Sequence, residues 1–234
     1  MTANKIIQVI IACVACAALF ACKKDNPVDS SSSNVIIDPL AMESELNILA
    51  MDGRIESGNN SAAFDWVTPF EAATGCKVKA TLPDSNELFA NKIDSNKYDL
   101  VIATDSSLPV DLLQTIDFSR LRSFKELDKR FSENPSVQKK TALPLHWKQI
   151  NPVLPSTEVI TEVESIQLLA KAQNINCAYA WMEWSLSPKV QADIAAALDT
   201  IPAVPAACSG NELLGDDACE QRMAETPIDN NSNP

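Results

Sequence analysis

His146 is the only histidine in the 234-residue chain, and a hydrolase built on it would need a nucleophile in front of the ring and an orienting acid behind it. No GxSxG or comparable signature supplies them, so His146 reads as a structural residue and no side chain receives a catalytic role. Five glycines against 14 prolines leave little material for a loop that cradles phosphate, and neither GxGxxG nor GxxxxGK[ST] occurs. Recognition without covalent chemistry remains. Asp52, in Met51-Asp52-Gly53-Arg54, and Asp105 with Ser106, in Thr104-Asp105-Ser106-Ser107, each follow a short apolar run. Either aspartate suits an amine, and either also suits a turn or a helix cap. Asp216, Asp217 and Glu220 read as a solvated face, and no metal or cofactor is expected.

The cysteines point to an oxidising compartment. Of seven, Cys13 and Cys16 lie in an apolar leader and Cys22 ends it, which leaves Cys76, Cys177, Cys208 and Cys219. No CxxC survives among these four, and the spacings are unlike those of zinc modules. Disulfides are the better reading, with three pairings open. Cys208 and Cys219 bracket a polar loop with Gly210 and Gly215, so local closure is expected there, leaving Cys76 with Cys177 as the long-range bridge.

Short strands alternating with helices must position these residues. Leu46 to Ala50 is a first apolar run, and Tyr98-Asp99-Leu100-Val101-Ile102-Ala103 has the near-continuous apolarity of a parallel strand covered on both faces. Between them, Thr68-Pro69-Phe70-Glu71 has the spacing of a capping box, Gly75 stops the helix, and Cys76, Val78, Ala80 and Leu82 alternate as a strand. Asp84-Ser85-Asn86-Glu87 opens another helix. Later, Ala178, Trp181, Met182 and Leu186 fall at helical spacing, with Trp181 and Trp184 read as packing residues. Ser187-Pro188 restarts a helix that buries Val190, Ile194, Ala197 and Leu198. Ligands of open α/β sheets lie beyond the carboxyl ends of the strands, which is where Asp52 and Asp105 fall.

The first residues read as a targeting segment. One positive charge precedes the apolar stretch Ile6 to Phe20, too short for a comfortable span, and Leu19-Phe20-Ala21-Cys22 resembles a bacterial lipobox. Residues 1–21 are therefore expected to be a lipoprotein signal peptide with Cys22 carrying the lipid; an ordinary cleaved signal and an uncleaved anchor are the alternatives. Residues 22–45 read as a flexible tether, 46–222 as the folded body and 223–234 as a disordered tail. Lys plus Arg is 19 against 31 Asp plus Glu, a formal charge of -12 that repels phosphate backbones and speaks against nucleic acid.

Three stretches together resemble the extracellular solute-binding proteins of ABC transporters, of the putrescine/spermidine type. They are Asp65-Trp66-Val67-Thr68-Pro69-Phe70-Glu71 running into Thr74-Gly75-Cys76-Lys77-Val78; Tyr98-Asp99-Leu100-Val101; and Asn176-Cys177-Ala178-Tyr179 through Leu186-Ser187-Pro188 to Pro202-Ala203 and Cys208. The resemblance covers residues 46–145 and 165–220. It implies a periplasmic-binding-protein-like (type II) α/β lobe with a mostly parallel sheet flanked by helices. It also implies a small cationic or polar ligand and an ABC permease of the inner membrane as partner. Pro144-Leu145-His146-Trp147 matches the approach to the family's hinge, so Trp147 joins Asp52, Asp105 and Ser106 as a candidate ligand contact. Two departures stand out. Met51 and Arg54 stand where the family places an aromatic pair, and the chain passes from the hinge to its C-terminal region within about twenty residues, where the family builds its second lobe. A single lobe is expected, with 46–150 and 160–222 joined by a bridging loop at Asn151 to Ser156.

Two functions follow from that resemblance: a lipid-anchored periplasmic solute-binding component, or a degenerate single-lobe relative that buries no ligand and acts through protein contacts at the cell envelope.

Overall fold

The computed structural model describes residues 42–104, 108–150, 160–209 and 214–225. The segments expected as signal peptide, most of the tether and the bridging loop lie outside them, as do Asp105 and Ser106. Six strands form one sheet in the order β2-β1-β3-β5-β4-β6. They are β1 (Glu45–Ala50), β2 (Lys77–Thr81), β3 (Leu100–Thr104), β4 (Leu143–Ile150), β5 (Ile160–Leu168) and β6 (Ile201–Pro202).

The sheet has two characters. β1 runs parallel to β2 and to β3, as the apolar runs predict. β3–β5, β5–β4 and β4–β6 are antiparallel, so the expectation of a mostly parallel sheet holds for one half only. The reason is β5, a nine-residue strand in a region where Ile166, Leu169 and Ala170 mark only a short strand-to-helix passage. Glu162, Glu164, Ser165 and Gln167 interrupt its apolar pattern. β4 and β5 pair from Leu143↔Ile166 to Ile150↔Ile160, so the chain leaves and re-enters the sheet as one hairpin. The described residues thus build a single sheet.

Helices cover it: α1 (Val67–Thr74), α2 (Asn86–Lys92), α3 (Pro135–Gln138), α4 (Ile175–Ser185), α5 (Pro188–Leu198) and α6 (Asp216–Glu225). α1 starts differently from the capping-box expectation. Asp65 accepts from the Thr68 amide at 2.9 Å, while Glu71 turns away to accept from Val78 N at 2.8 Å and from Lys77 Nζ at 2.8 Å. Its carboxylate therefore ties the helix to β2. Gly75 ends α1 at φ +79°, a left-handed conformation that glycine adopts without a Cβ penalty. Ser187 does precede α5 with Pro188 at its first turn, though its side chain makes no cap. α6 includes residues 223–225, which the sequence assigns to the tail; Met223 is buried against the Cys208–Cys219 region and holds that turn in place.

One face of the sheet packs Leu46, Ile48, Leu100, Ile102, Leu143 and Ile166 against Trp66, Phe70 and Trp181, with Phe70 edge-on to Trp181 at 4.9 Å. The other face holds Leu49, Val101 and Ala103 under Phe89, Leu108 and Leu169. Both predicted disulfides are present, Cys76–Cys177 and Cys208–Cys219.

Asp99 stitches the parallel half to the chain behind β5. It accepts from Asn47 N (2.9 Å), Gln173 N (2.8 Å), Asn174 N (3.0 Å) and Asn174 Nδ2 (2.9 Å). Burial works to raise its pKa, but these donors outweigh that and hold it below the usual carboxylate range. Glu43, assigned to the tether, instead caps α4: its Oε2 accepts from Cys177 N at 2.9 Å and its Oε1 from Asn176 N at 3.2 Å. The carboxylates satisfy orphan amides at the positive end of the helix, which anchors the entry of the chain.

Candidate functional site

The carboxyl ends of β1 and β3 meet the β4–β5 hairpin, and the residues gathered there are Asp52, Arg54, Thr104, His146, Glu162 and Glu164. Gly53, at φ +79°, turns the chain after β1 and approaches Leu198 of α5, so that Arg54 points back toward β5. Arg54 grips Glu164 with two nitrogens, Nε at 3.0 Å from Oε1 and Nη2 at 3.1 Å from Oε2, while Nη1 donates to the Asp52 carbonyl at 3.0 Å. Bidentate pairing of this kind is the strongest that a guanidinium makes with a carboxylate. Beside them, Thr104 donates to Glu162 at 2.7 Å.

His146 lies behind the ion pair on β4, with Nε2 3.6 Å from Glu164 Oε2. Its ring is buried, and neither nitrogen has a hydrogen-bond partner among the described residues. Burial drives its pKa down to about 4, with Arg54 adding to the effect and the carboxylates of Glu164 and Glu162 opposing it. It is therefore neutral at pH 7, the structural histidine read from the sequence.

The sequence-predicted contacts fare unequally. Asp52 is exposed at the site, its Oδ1 accepting from Gly53 N at 3.0 Å, which is the turn role weighed against ligand contact. Asp105 and Ser106 lie outside the described residues. Trp147 requires correction as a ligand platform. It is fully buried, edge-on to Phe131 at 5.2 Å, in a cluster with Val163, Ile201, Cys208 and Cys219. The alternation of β4 sends His146 and Trp147 to opposite faces, and the face that takes Trp147 is closed by Phe131 and the Cys208–Cys219 bridge. Trp181 is buried, and Trp184 donates to the Trp66 carbonyl at 2.9 Å, both in packing roles.

Glu164 and its capture by Arg54 were invisible to spacing, because 110 residues separate them. The one available signal was a pair of acids, Glu162 and Glu164, flanking Val163 in a stretch that also carries Thr161, Ser165 and Gln167. Chemically, the Glu164 carboxylate that could receive an ammonium already holds the protein's own cation. Asp52 and Glu162 are the exposed acids beside it.

A six-stranded sheet with parallel and antiparallel halves, flanked by helices, is the architecture of a periplasmic-binding-protein-like lobe. No protein-family model matches the chain. Its fold is similar to that of the spermidine/putrescine ABC transporter substrate-binding protein PotD from Streptococcus pneumoniae. The TM-score is 0.60 at 12% identity, spanning 75% of this chain and 88% of that one. A spermidine/putrescine ABC transporter protein from Listeria monocytogenes matches at TM-score 0.63 and 15% identity over 78% of this chain and 91% of that one. The PotD lipoprotein of Treponema pallidum matches at 0.55 and 11% over 76% and 92%. At these identities the shared property is the fold. Among the described residues no helix is long and apolar enough to cross a membrane.

Proposed function

We propose that the protein is a solute-binding component of an ABC uptake transporter, held at the cell envelope by a lipid on Cys22 and offering a small polar solute to an inner-membrane permease. The observation that carries this reading is the likeness of its sheet, across three quarters of the chain, to binding proteins of that transporter class. The T. pallidum neighbour is itself a lipoprotein, which supports the anchor. The solute would sit at the edge formed by Asp52, Arg54, Thr104 and Glu162. A polyamine fits this edge poorly, because Arg54 neutralises Glu164 and would repel a second cation. Binding involves no bond making or breaking.

A second reading is favoured by two observations, the Arg54–Glu164 pair and the burial of Trp147. Together they remove a free carboxylate and an aromatic face from the edge. On this reading the chain is a single-lobe relative that buries no ligand and acts through protein contacts. Calorimetry of the mature domain with putrescine, spermidine and a panel of amino acids separates the two. Heat with one solute, lost in Asp52→Ala, supports solute binding. Silence across the panel, with Asp52→Ala indistinguishable from the parent, supports the second reading.

A further inference from the structure

Strand polarity gathers several exposed cations of this protein at one end of the sheet. β1, β3 and β4 run the same way and β5 runs against them. The starts of β1, β3 and β4 and the finish of β5 therefore share one end of the sheet, opposite the Arg54–Glu164 edge. Lys97 precedes β3, Lys171 follows β5, and Lys139 and Lys140 precede β4; all four are exposed. Arg120 joins them, because Ile116 N donates to the Lys140 carbonyl at 2.8 Å, and Arg120 and Lys140 both act to lower the pKa of Asp117. The acids on this end are largely committed elsewhere. Asp94 binds the Asn96 amide and Lys97, Asp117 binds Ser119, Glu43 caps α4 and Glu45 pairs with Lys79, while Asp111 is exposed.

The segregation is also visible along the chain. The stretch from Asp117 to Lys140 has seven Lys and Arg against four Asp and Glu, whereas the rest of the molecule has 12 against 27. A uniformly acidic, merely solubilising surface would not concentrate its cations in one segment.

The same end receives the incoming chain. β1 begins there at Glu45, and Glu43 just before it accepts from Asn176 N at 3.2 Å. The Asn176 side chain in turn accepts from Arg120 Nη2 at 2.9 Å, and the Arg120 guanidinium lies over the Tyr179 ring at 3.7 Å. The tether therefore enters beside the basic residues.

We infer that this end is a docking face for anionic lipid headgroups, with Arg120, Lys139, Lys140 and Lys171 as its contacts. Its cellular setting rests on the reading of Cys22 as lipid-bearing, since a chain anchored upstream of Glu43 would bring this face, rather than the opposite one, nearest the bilayer. A cationic side chain close to an anionic membrane strengthens partitioning about fivefold, and the effect fades within a Debye length. Glu164, on the far edge, is four residues up β5 from Leu168, about 13 Å at the strand rise and beyond the Debye length of about 10 Å at 0.1 M salt.

The test uses residues 23–234, which lack the lipid but contain every described residue, and vesicles of phosphatidylcholine with or without phosphatidylglycerol. The parent should sediment with the anionic vesicles at about 100 mM salt and detach at about 500 mM. Lys139→Glu should lower partitioning about tenfold or more, and Lys148→Glu, the same charge change on the exposed hairpin at the other end, should leave it within twofold. Circular dichroism confirms that both variants are folded. Failure of the parent to bind, equal binding to neutral vesicles, or equal losses in the two variants would overturn the inference. Absence of a lipid on Cys22, read by mass spectrometry of the mature chain, would overturn the anchor and leave the vesicle result standing.

Discussion

The two halves of the sheet treat their buried polar groups in opposite ways. In the parallel half, β2-β1-β3, the buried carboxylate of Asp99 receives hydrogen bonds from Asn47, Gln173 and Asn174. In the antiparallel half, β5-β4-β6, the ring of His146, the hydroxyl of Ser165 and both amide atoms of Gln167 are buried without a partner among the described residues. An unmet buried polar group costs about 1–3 kcal/mol, whereas a hydrogen bond to a charged group contributes about 1.5–3 kcal/mol. The parallel half is therefore held by its buried carboxylate, while the antiparallel half carries these unmet groups and holds together through Leu143, Leu145, Ile166 and the Arg54–Glu164 pair.

The disulfides offer the largest way to probe this contrast. Cys76–Cys177 links the start of β2 to α4 across 101 residues, and Cys208–Cys219 closes 11 beside β6. Chain entropy assigns about 5 kcal/mol to the first and about 3 kcal/mol to the second. Denaturant unfolding of Cys76→Ser/Cys177→Ser and of Cys208→Ser/Cys219→Ser should reproduce that order; the reverse order would place the stability of the fold in the antiparallel half.

His146 supplies a pH test. Its pKa falls from 6.5 in the unfolded chain to about 4 in the fold, so between those values the unfolded chain binds a proton that the native one refuses. Stability is fully present above pH 6.5 and drains away as pH falls toward 4, by about 3 kcal/mol in all. Urea midpoints measured across this window should slope accordingly, and His146→Phe should flatten the slope. The lowered pKa of Asp99 acts in the same direction but further into acid, below the range of an unfolded aspartate. A slope that survives the His146 substitution would put the acid sensitivity in the parallel half instead.

Arg54→Ala strands the Glu164 carboxylate next to His146 and should cost about 2 kcal/mol, less than a fully buried pair because Arg54 is partly exposed. Arg54→Met with Glu164→Leu removes both charges and should recover most of it. If the double substitution is as damaging as the single, the pair contributes attraction beyond mutual neutralisation. Smallest of all, Gln167→Leu should be neutral or stabilise by about 1 kcal/mol, since it deletes two unmet amide atoms. A loss instead would mean that Gln167 is satisfied in solution.

The contrast also explains what could be read in advance. The parallel half was legible because its signals are local: the apolar run 98–103, the alternation after Gly75 and the helix stop at Gly75. The antiparallel half was not, because β5 mixes Glu, Ser and Gln into its apolar positions and is stabilised by pairing to β4 rather than by its own pattern. The candidate site was legible as a place, the carboxyl edge of β1 and β3, but not as a set of residues. Asp52 is there; Trp147 is turned away by strand alternation, and the Arg54–Glu164 contact depends on a pairing that only the finished sheet creates.

The β4–β5 hairpin has a consequence for engineering. Ile150 and Ile160 are register partners across the ladder, so whatever joins them begins and ends on adjacent strands. A separately folding module whose own termini lie close together can be spliced in there without disturbing the register of either strand. A circularly permuted fluorescent protein at this junction, four residues along β5 from Glu164, would test whether a solute at that edge changes the geometry of the hairpin.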